Sequence, residues 1–227
     1  MRIRRRERTT SGAFGLSMMT TSFASGGVDR FPEVLRTNTG TDAASATSAT
    51  VQLPANIGVG QLLIMLASFD GAVTNLAATG WTVITGSTSA AWGLYKFTDG
   101  VEGSTVATSW TTARLSKWRT LLIGGAHAST PPELTSASGT SATPDPGAIT
   151  ASWGIANNLF IVHGATIGGP FTAVPTNYDS NIYMSTGVAG AQASATRNIQ
   201  AATTNPGAFA SSTSDLWRTL TIVVRPI

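Results

Sequence analysis

Leu62-Leu63-Ile64-Met65-Leu66 decides the fold, because a near-copy of it, Leu159-Phe160-Ile161-Val162-His163, follows later in the chain. An uninterrupted apolar run of this length, bounded by glycine and turn residues, is typical of a strand buried inside a sandwich. Each copy follows a turn and precedes a polar, glycine-rich stretch. The pair therefore predicts two matching, sheltered strands.

Two further landmarks recur at nearly the same spacing. Trp118-Arg119-Thr120-Leu121 returns as Trp217-Arg218-Thr219-Leu220, and 217 minus 118 is 99, while 159 minus 62 for the apolar strands is 97. The aromatic turn Gly80-Trp81-Thr82 meets Asn177-Tyr178-Asp179, again 97 residues later. Self-similarity at one spacing indicates an internally duplicated β-unit.

The chain is predicted to be all-β. No segment shows sustained helical periodicity, and many short strands between turn residues favour a jelly-roll-like antiparallel β-sandwich built from two internally similar units. We expect an N-terminal arm over residues 1–36 and a sandwich domain over 37–227, with repeat units at about 51–125 and 148–225. Residues 128–147, rich in Pro, Ser and Thr, are predicted to join the units, because proline lacks the N–H that a central strand needs. A unit of about 75 residues would bury little core alone, so we expect one interleaved domain.

The net charge of +3 comes from the first eight residues, which carry five arginines and one acid, Glu7. Without them the chain has nine basic and ten acidic residues. Hydrophobic residues make up 42% of the sequence and charged residues 11%, which favours a folded chain with a weakly charged surface. Basic N-terminal arms of this kind bind acidic protein surfaces or nucleic acid.

The arm is predicted to be an extended segment that docks on a partner. Its arginines are followed by spaced apolar residues, and a short apolar middle broken by Gly15 and Ser17 makes the alternative, a secretory signal, the weaker one. No apolar run reaches the roughly 18 residues of a membrane span. The predicted partner-binding residues are Arg2, Arg4, Arg5, Arg6, Arg8, Phe14, Met18, Met19 and Phe23.

Alternation along the repeated Trp-Arg-Thr-Leu strands separates their two faces. If Leu220 and Ile222 face the core, Trp217 lies on the opposite face, and Trp118 likewise. An outward tryptophan is either covered by a loop or strand end, or lies at a contact. Trp118 and Trp217 are therefore candidates for an outward-facing contact.

The sequence offers little catalytic or metal chemistry. It has no cysteine, and its two histidines, His127 and His163, have no His, Cys or acidic companion at ligand spacing, so no metal site is expected. The acids are scattered, and no nucleophile elbow, P-loop or dinucleotide fingerprint is present. We expect a protein that is not an enzyme and has no cofactor. Stacking on sugars stays open as an alternative, through Trp81, Trp92, Trp110, Trp153, Tyr95, Tyr178 and Tyr183.

The order of landmarks resembles that of the jelly-roll-like accessory structural proteins of tailed bacteriophage virions, found on heads and tails. It runs from the apolar strand through Gly-Trp-Thr-Val-Ile and Trp-Gly-Leu-Tyr-Lys-Phe to a last strand ending in Val-Val-Arg-Pro. The resemblance covers roughly residues 50–227 and implies a non-enzymatic, symmetric virion component, commonly a homotrimer, bound to other virion proteins. The expected function is capsid decoration, a head spike or a tail accessory protein attached through the arm.

Two other functions follow from the same residues. A glycan-binding module of an adhesion fibre would need an exposed aromatic patch. Nucleic-acid binding through the arm would show a steep loss of affinity with salt, and the near-neutral remainder of the chain makes it the weaker alternative.

Overall fold

The computed structural model describes residues 30–41, 44–84, 88–185, 187 and 190–227. These residues form seventeen strands and no helix. In chain order the strands are β1 (Glu33–Thr41), β2 (Ala46–Gln52), β3 (Leu62–Thr74), β4 (Ala77–Ala78), β5 (Thr82–Val83), β6 (Thr88–Phe97), β7 (Thr105–Arg114), β8 (Ser116–Gly124), β9 (Glu133–Ser141), β10 (Ile149–Thr150), β11 (Asn157–Thr166), β12 (Phe171–Ala173), β13 (Ser180–Met184), β14 (Ala191–Gln200), β15 (Thr203–Thr204), β16 (Ala210–Ser211) and β17 (Asp215–Val224).

The strands form two five-stranded sheets and three smaller ones. The first large sheet has the order β1-β8-β3-β6-β5, and the second has the order β9-β17-β11-β14-β13. The smaller sheets are β2-β7-β4, β10-β15 and β12-β16. The pairings within these sheets are antiparallel, which confirms the all-β, antiparallel prediction and is consistent with a β-sandwich.

The two large sheets face each other across one apolar layer, here called the inter-sheet layer. Strands β3 and β8 contribute the side chains of the first sheet, and β11 and β17 those of the second. Alternation puts every second residue of each strand into this layer. Its buried members include Leu62, Ile64, Leu66, Leu121, Ile123, Leu159, Ile161, Leu220, Ile222 and Val224.

The outer face of each large sheet is also covered. The β2-β7-β4 sheet covers the first large sheet, where Trp110 packs with Phe69 and Trp118. The small sheets β10-β15 and β12-β16 cover the second, where Phe171 packs with Phe160. Burial on both faces explains the uninterrupted apolar runs, since residues 62–66 and 159–163 are each at most 1% exposed.

Two predicted boundaries differ from the structure. The arm was expected to end at residue 36, but β1 begins at Glu33, because Val34 already packs against the inter-sheet layer. The joining stretch 128–147 contains β9, which lies at the edge of the second large sheet. Its prolines lie outside the strand, where their missing N–H costs no ladder hydrogen bond.

Of the two alternatives for Trp118 and Trp217, the structure shows both tryptophans covered, so neither offers an exposed contact among the described residues. Both lie on the face opposite the inter-sheet layer, as alternation requires, but Trp118 is only 2% exposed and Trp217 only 8%. The ring of Trp118 packs edge-on against Phe69, with centroids 5.7 Å apart, and Trp217 lies across Gly139 of β9. Trp118 belongs to the core beneath the β2-β7-β4 sheet, whereas Trp217 is covered by residues of the edge strand β9.

Candidate functional site

The predicted partner-binding residues of the arm precede the part of the chain that the structure describes. Arg30 is the first residue described, and β1 follows at once as an edge strand of the first large sheet. The arm calls outside the described residues are Arg2, Arg4, Arg5, Arg6, Arg8, Phe14, Met18, Met19 and Phe23.

One end of the inter-sheet layer is polar. Ser68, Arg119, His163, Gln192 and Ser194, here called the polar seam, are all at most 3% exposed. Their hydrogen bonds cross from one large sheet to the other, since Gln192 Nε2 donates to the carbonyl of Leu66 at 3.1 Å. Buried polar groups of this kind are costly unless they are paired, so the seam favours one relative position of the two sheets.

Arg119 is the charged centre of the polar seam. Its Nη1 donates to Oγ of Ser194 at 2.7 Å and to the Ser194 carbonyl at 3.3 Å. Its Cζ lies 5.5 Å from the ring centroid of Tyr183, a cation–π distance. Burial lowers the pKa of Arg119 to about 10, and Tyr183 opposes that shift, so the guanidinium stays charged at neutral pH.

His163 and Ser68 lie within hydrogen-bond distance, which is also the geometry of a serine nucleophile and its base. His163 Nε2 is 3.3 Å from Ser68 Oγ, but it is also 3.2 Å from the carbonyl oxygen of Ala67, which can only accept. The carbonyl favours the tautomer that carries the proton on Nε2, in which His163 donates to Ala67 and is not a base for Ser68. Burial lowers the pKa of His163 to about 4; carbonyls of Ala67 and Ala193 oppose the shift, and Arg119 adds to it. Both side chains are fully buried, so the pair is a structural contact between the sheets.

An open cleft of about 320 Å³ lies between the two large sheets. Two half-buried arginines, Arg114 of β7 and Arg218 of β17, line it together with Asp70. The Asp70 carboxylate accepts the backbone N–H of Leu115 through Oδ1 at 3.1 Å. The remaining lining residues are Gly71, Ala72, Ala90, Ile167, Leu216 and Trp217.

The guanidinium of Arg114 rests against the backbone of Gly71. A Cβ at Gly71 would lie 2.5 Å from Arg114 Cζ and 2.8 Å from Nε, so glycine provides the space for this side chain. Arg114 Nε is buried and has no hydrogen-bond partner among the described residues. Arg218 donates from Nη1 to the carbonyl of Trp217 at 3.1 Å. The described ion pairs join Lys96 to Asp99 and Glu102, so neither cleft arginine is paired with a carboxylate there.

The aromatic residues considered for sugar stacking are not exposed. Trp92, Trp110 and Tyr178 are buried in the outer layers. The others are half-buried, and glycan binding stays a prediction; they are Trp81, Tyr95, Trp153 and Tyr183.

Within the described ranges, no three His, Cys, Asp or Glu side chains come together as a metal-binding group. The same ranges contain no helix with the length and hydropathy of a bilayer span.

One pattern in the sequence indicates both the polar seam and the cleft, although Arg119 and Arg218 were not among the predicted site residues. Alternation that puts Leu121 and Leu220 in the inter-sheet layer also puts Arg119 and Arg218 there, two residues earlier in each strand. An arginine on a core-facing position is unusual and marks a buried polar contact or a cleft. No comparable pattern in the sequence marks Arg114.

The comparisons with known proteins identify no relative. No protein-family model, curated protein or solved structure matches this chain. The functional argument therefore rests on the residues themselves.

Proposed function

We propose that this chain is a structural component of a tailed-phage virion, a capsid decoration, head spike or tail accessory protein. In this proposal it has a jelly-roll-like body made from two duplicated units, and the arm that precedes β1 attaches it to neighbouring virion subunits. The observation that carries the proposal is the repeated register of the two large sheets, which is a property of a rigid scaffold.

The repeated register extends over four strands of each large sheet. Leu66 pairs with Gly93 and Arg119, and 99 residues later Ala165 pairs with Gln192 and Arg218. The edge strands repeat too: Gly40 pairs with Trp118, and Gly139 with Trp217. The two sheets also have the same strand order. The strands β1, β8, β3, β6 and β5 of the first sheet take the same relative positions as β9, β17, β11, β14 and β13 of the second. These correspondences support a duplication of one sheet-forming unit.

A side-chain contact recurs with the same spacing. Thr120 Oγ1 lies 3.5 Å from the carbonyl oxygen of Asn38, and Thr219 Oγ1 lies 3.5 Å from that of Ala137. The nearer acceptors are the carbonyls of Gln52 at 3.0 Å and Asp145 at 3.4 Å, so the repeated feature is the position of each threonine beside its edge strand. A body held by such repeated contacts suits a protein whose function is to hold a position in an assembly.

The outer strands suit contact with neighbouring subunits. β1 and β9 are edge strands, and their sequences, Glu33–Thr41 and Glu133–Ser141, consist largely of small polar residues. An edge strand has unpaired N–H and C=O groups that another chain can meet. In the proposed assembly, these edge strands and the weakly charged surface contact other virion proteins. They also contact further copies of this chain, with which it forms a homotrimer.

The arm supplies the attachment. Its five arginines can form bidentate contacts with carboxylates of a neighbouring subunit, and its apolar residues add burial. It precedes β1, so it leaves the body at an edge of the first large sheet.

The test is incorporation of tagged variants into particles, measured by density-gradient purification and electron microscopy of the label. Deletion of residues 1–27 should abolish incorporation and leave the circular dichroism of the body unchanged. A matched variant replaces the five arginines by glutamine and keeps the apolar residues, so that it reports the charge alone. Unchanged incorporation of the deletion variant would refute attachment through the arm, and absence of the full-length chain from any particle would refute the virion function.

A further inference from the structure

We infer that the cleft between the two large sheets, lined by Arg114, Arg218 and Asp70, binds a small ligand through an oxyanion group, a carboxylate or a phosphate. This goes beyond the proposed structural function, because none of the described residues that line the cleft belongs to the arm. It rests on three observations: the charge of the cleft, the position of the Arg114 guanidinium in its wall and the shape of the cleft.

The charge of the cleft favours an anion. Two guanidinium groups and one carboxylate line it, and the carboxylate of Asp70 already accepts the N–H of Leu115. In the described part of the chain no carboxylate pairs with Arg114 or Arg218. An arginine keeps its charge at physiological pH, so the cleft has a net positive charge that its own residues do not neutralise.

The guanidinium of Arg114 lies in the wall of the cleft, against the backbone of Gly71. Its Nε is buried and has no hydrogen-bond partner among the described residues. The planar fork of a guanidinium matches two oxygens of a carboxylate or phosphate.

The shape of the cleft limits the ligand to a small molecule. A volume of about 320 Å³ is at the lower end of the range for ligand pockets. Its apolar lining comes from Ala72, Ala90, Ile167 and Leu216, and the buried Trp217 is beside Arg218. The ligand is therefore expected to combine a compact body with one oxyanion head.

The experiment is a titration of the full chain followed by NMR shifts of the backbone amides. The probes are glucuronate, inorganic phosphate and, as the neutral match to the sugar acid, glucose. We expect millimolar binding of glucuronate or phosphate, with the shifts confined to residues near 70–72, 114 and 216–218. A response to glucuronate assigns the cleft to sugar acids, and a response to phosphate alone assigns it to phosphate-bearing ligands.

Three variants and one control separate the cleft from the charge of the whole chain. Arg114→Gln and Arg218→Gln should each weaken binding by about tenfold or more, because each removes a charge-assisted hydrogen bond. Gly71→Ala keeps both charges but displaces the flexible end of Arg114, so it should weaken binding in a folded protein. Arg36→Gln removes an exposed charge of β1 and should leave binding unchanged.

Three results would overturn the inference. The first is the absence of shifts with both anions in the wild-type chain. The second is an equal loss of binding in Arg36→Gln and in the cleft variants, and the third is an equal response to glucose, because either would show that the cleft does not select an oxyanion.

Discussion

The indole of Trp217 lies directly over Gly139, its partner in the adjacent edge strand. A Cβ at Gly139 would be 2.6 Å from Cζ2 and 3.0 Å from Cε2 of the ring. The same side of the ring is fixed by a hydrogen bond, since Nε1, which is bonded to Cε2, donates to Oγ of Ser141 at 3.0 Å. Gly139 is therefore needed for the close approach of a rigid ring.

Gly139→Ala should lower the free energy of unfolding by about 1–3 kcal/mol, the usual cost of adding a methyl group to a filled space. The measurement is urea unfolding followed by circular dichroism. Gly40→Ala is the matched control, because Gly40 pairs with Trp118 but a Cβ there would meet nothing within 4 Å. It should change stability by no more than about 0.5 kcal/mol. Equal losses in the two variants would contradict the close-approach argument.

Arg119 and Tyr183 should be energetically coupled. The guanidinium is 5.5 Å from the ring centroid in a largely buried place, where a cation–π contact contributes about 0.5–2 kcal/mol. A double-mutant cycle of Arg119→Met and Tyr183→Leu in urea unfolding measures this term. Arg119→Met with Tyr178→Phe is the control, since Tyr178 lies in the outer layer and bonds to Thr204. Additive losses in the first cycle would contradict the contact.

The strands of the core could be predicted from sequence because of how they are buried. Residues 62–66 and 159–163 have cover on both faces, so apolar residues occupy every position and the pattern is visible without a structure. The exact correspondence could not be predicted. The ladders match Leu66 with Ala165, two residues beyond the position that sequence similarity gives, and a shift of two residues leaves every side chain on the same face.

The cover on the outer faces and the cleft could not be predicted for a different reason. Trp118 is buried by Trp110 and Phe69, which come from other strands, so its exposure depends on long-range pairing. The cleft brings together Asp70, Arg114 and Arg218 from three strands far apart in sequence. The spacing of these residues along the chain does not predict that they lie close together unless the topology is known.

Glu102 should stabilise the turn after β6. Its two carboxylate oxygens accept the N–H groups of Asp99 and Gly100, each at 3.0 Å, and Oε1 lies 3.1 Å from Lys96 Nζ. Burial favours the neutral acid, but the backbone N–H groups and Lys96 outweigh it and lower the pKa of Glu102. A lowered pKa means that this stabilisation is present above the ordinary pKa of 4.5 and is lost as the pH falls through the folded-state value.

Glu102→Gln should therefore lower the free energy of unfolding at neutral pH by about 1 kcal/mol, and the difference from wild type should shrink in acid. Urea unfolding of both proteins at neutral pH and in acid, below the ordinary pKa of 4.5, measures this difference in the free energy of unfolding. Asp99→Asn is the control, because Asp99 contacts the same lysine at 3.7 Å but is 60% exposed, and asparagine can still accept the N–H of Val101. A loss in Asp99→Asn as large as that in Glu102→Gln would assign the effect to Lys96 alone.

His163 should make the protein less stable in mild acid. The unfolded chain takes up a proton on this histidine near its ordinary pKa of 6.5, whereas the folded protein resists protonation until about 4. Between these values the unfolded state binds more protons, so the free energy of unfolding falls as the pH decreases. The expected loss over this range is about 3 kcal/mol, because the pKa of His163 is lowered from 6.5 to about 4 in the folded protein. His163→Gln keeps an N–H donor for the carbonyl of Ala67 but does not titrate, so its stability should fall less between about pH 6.5 and about pH 4. Urea unfolding of both proteins across that range isolates His163, because the other titrating groups are common to both. Parallel stability curves would show that His163 is not held neutral by burial between the sheets.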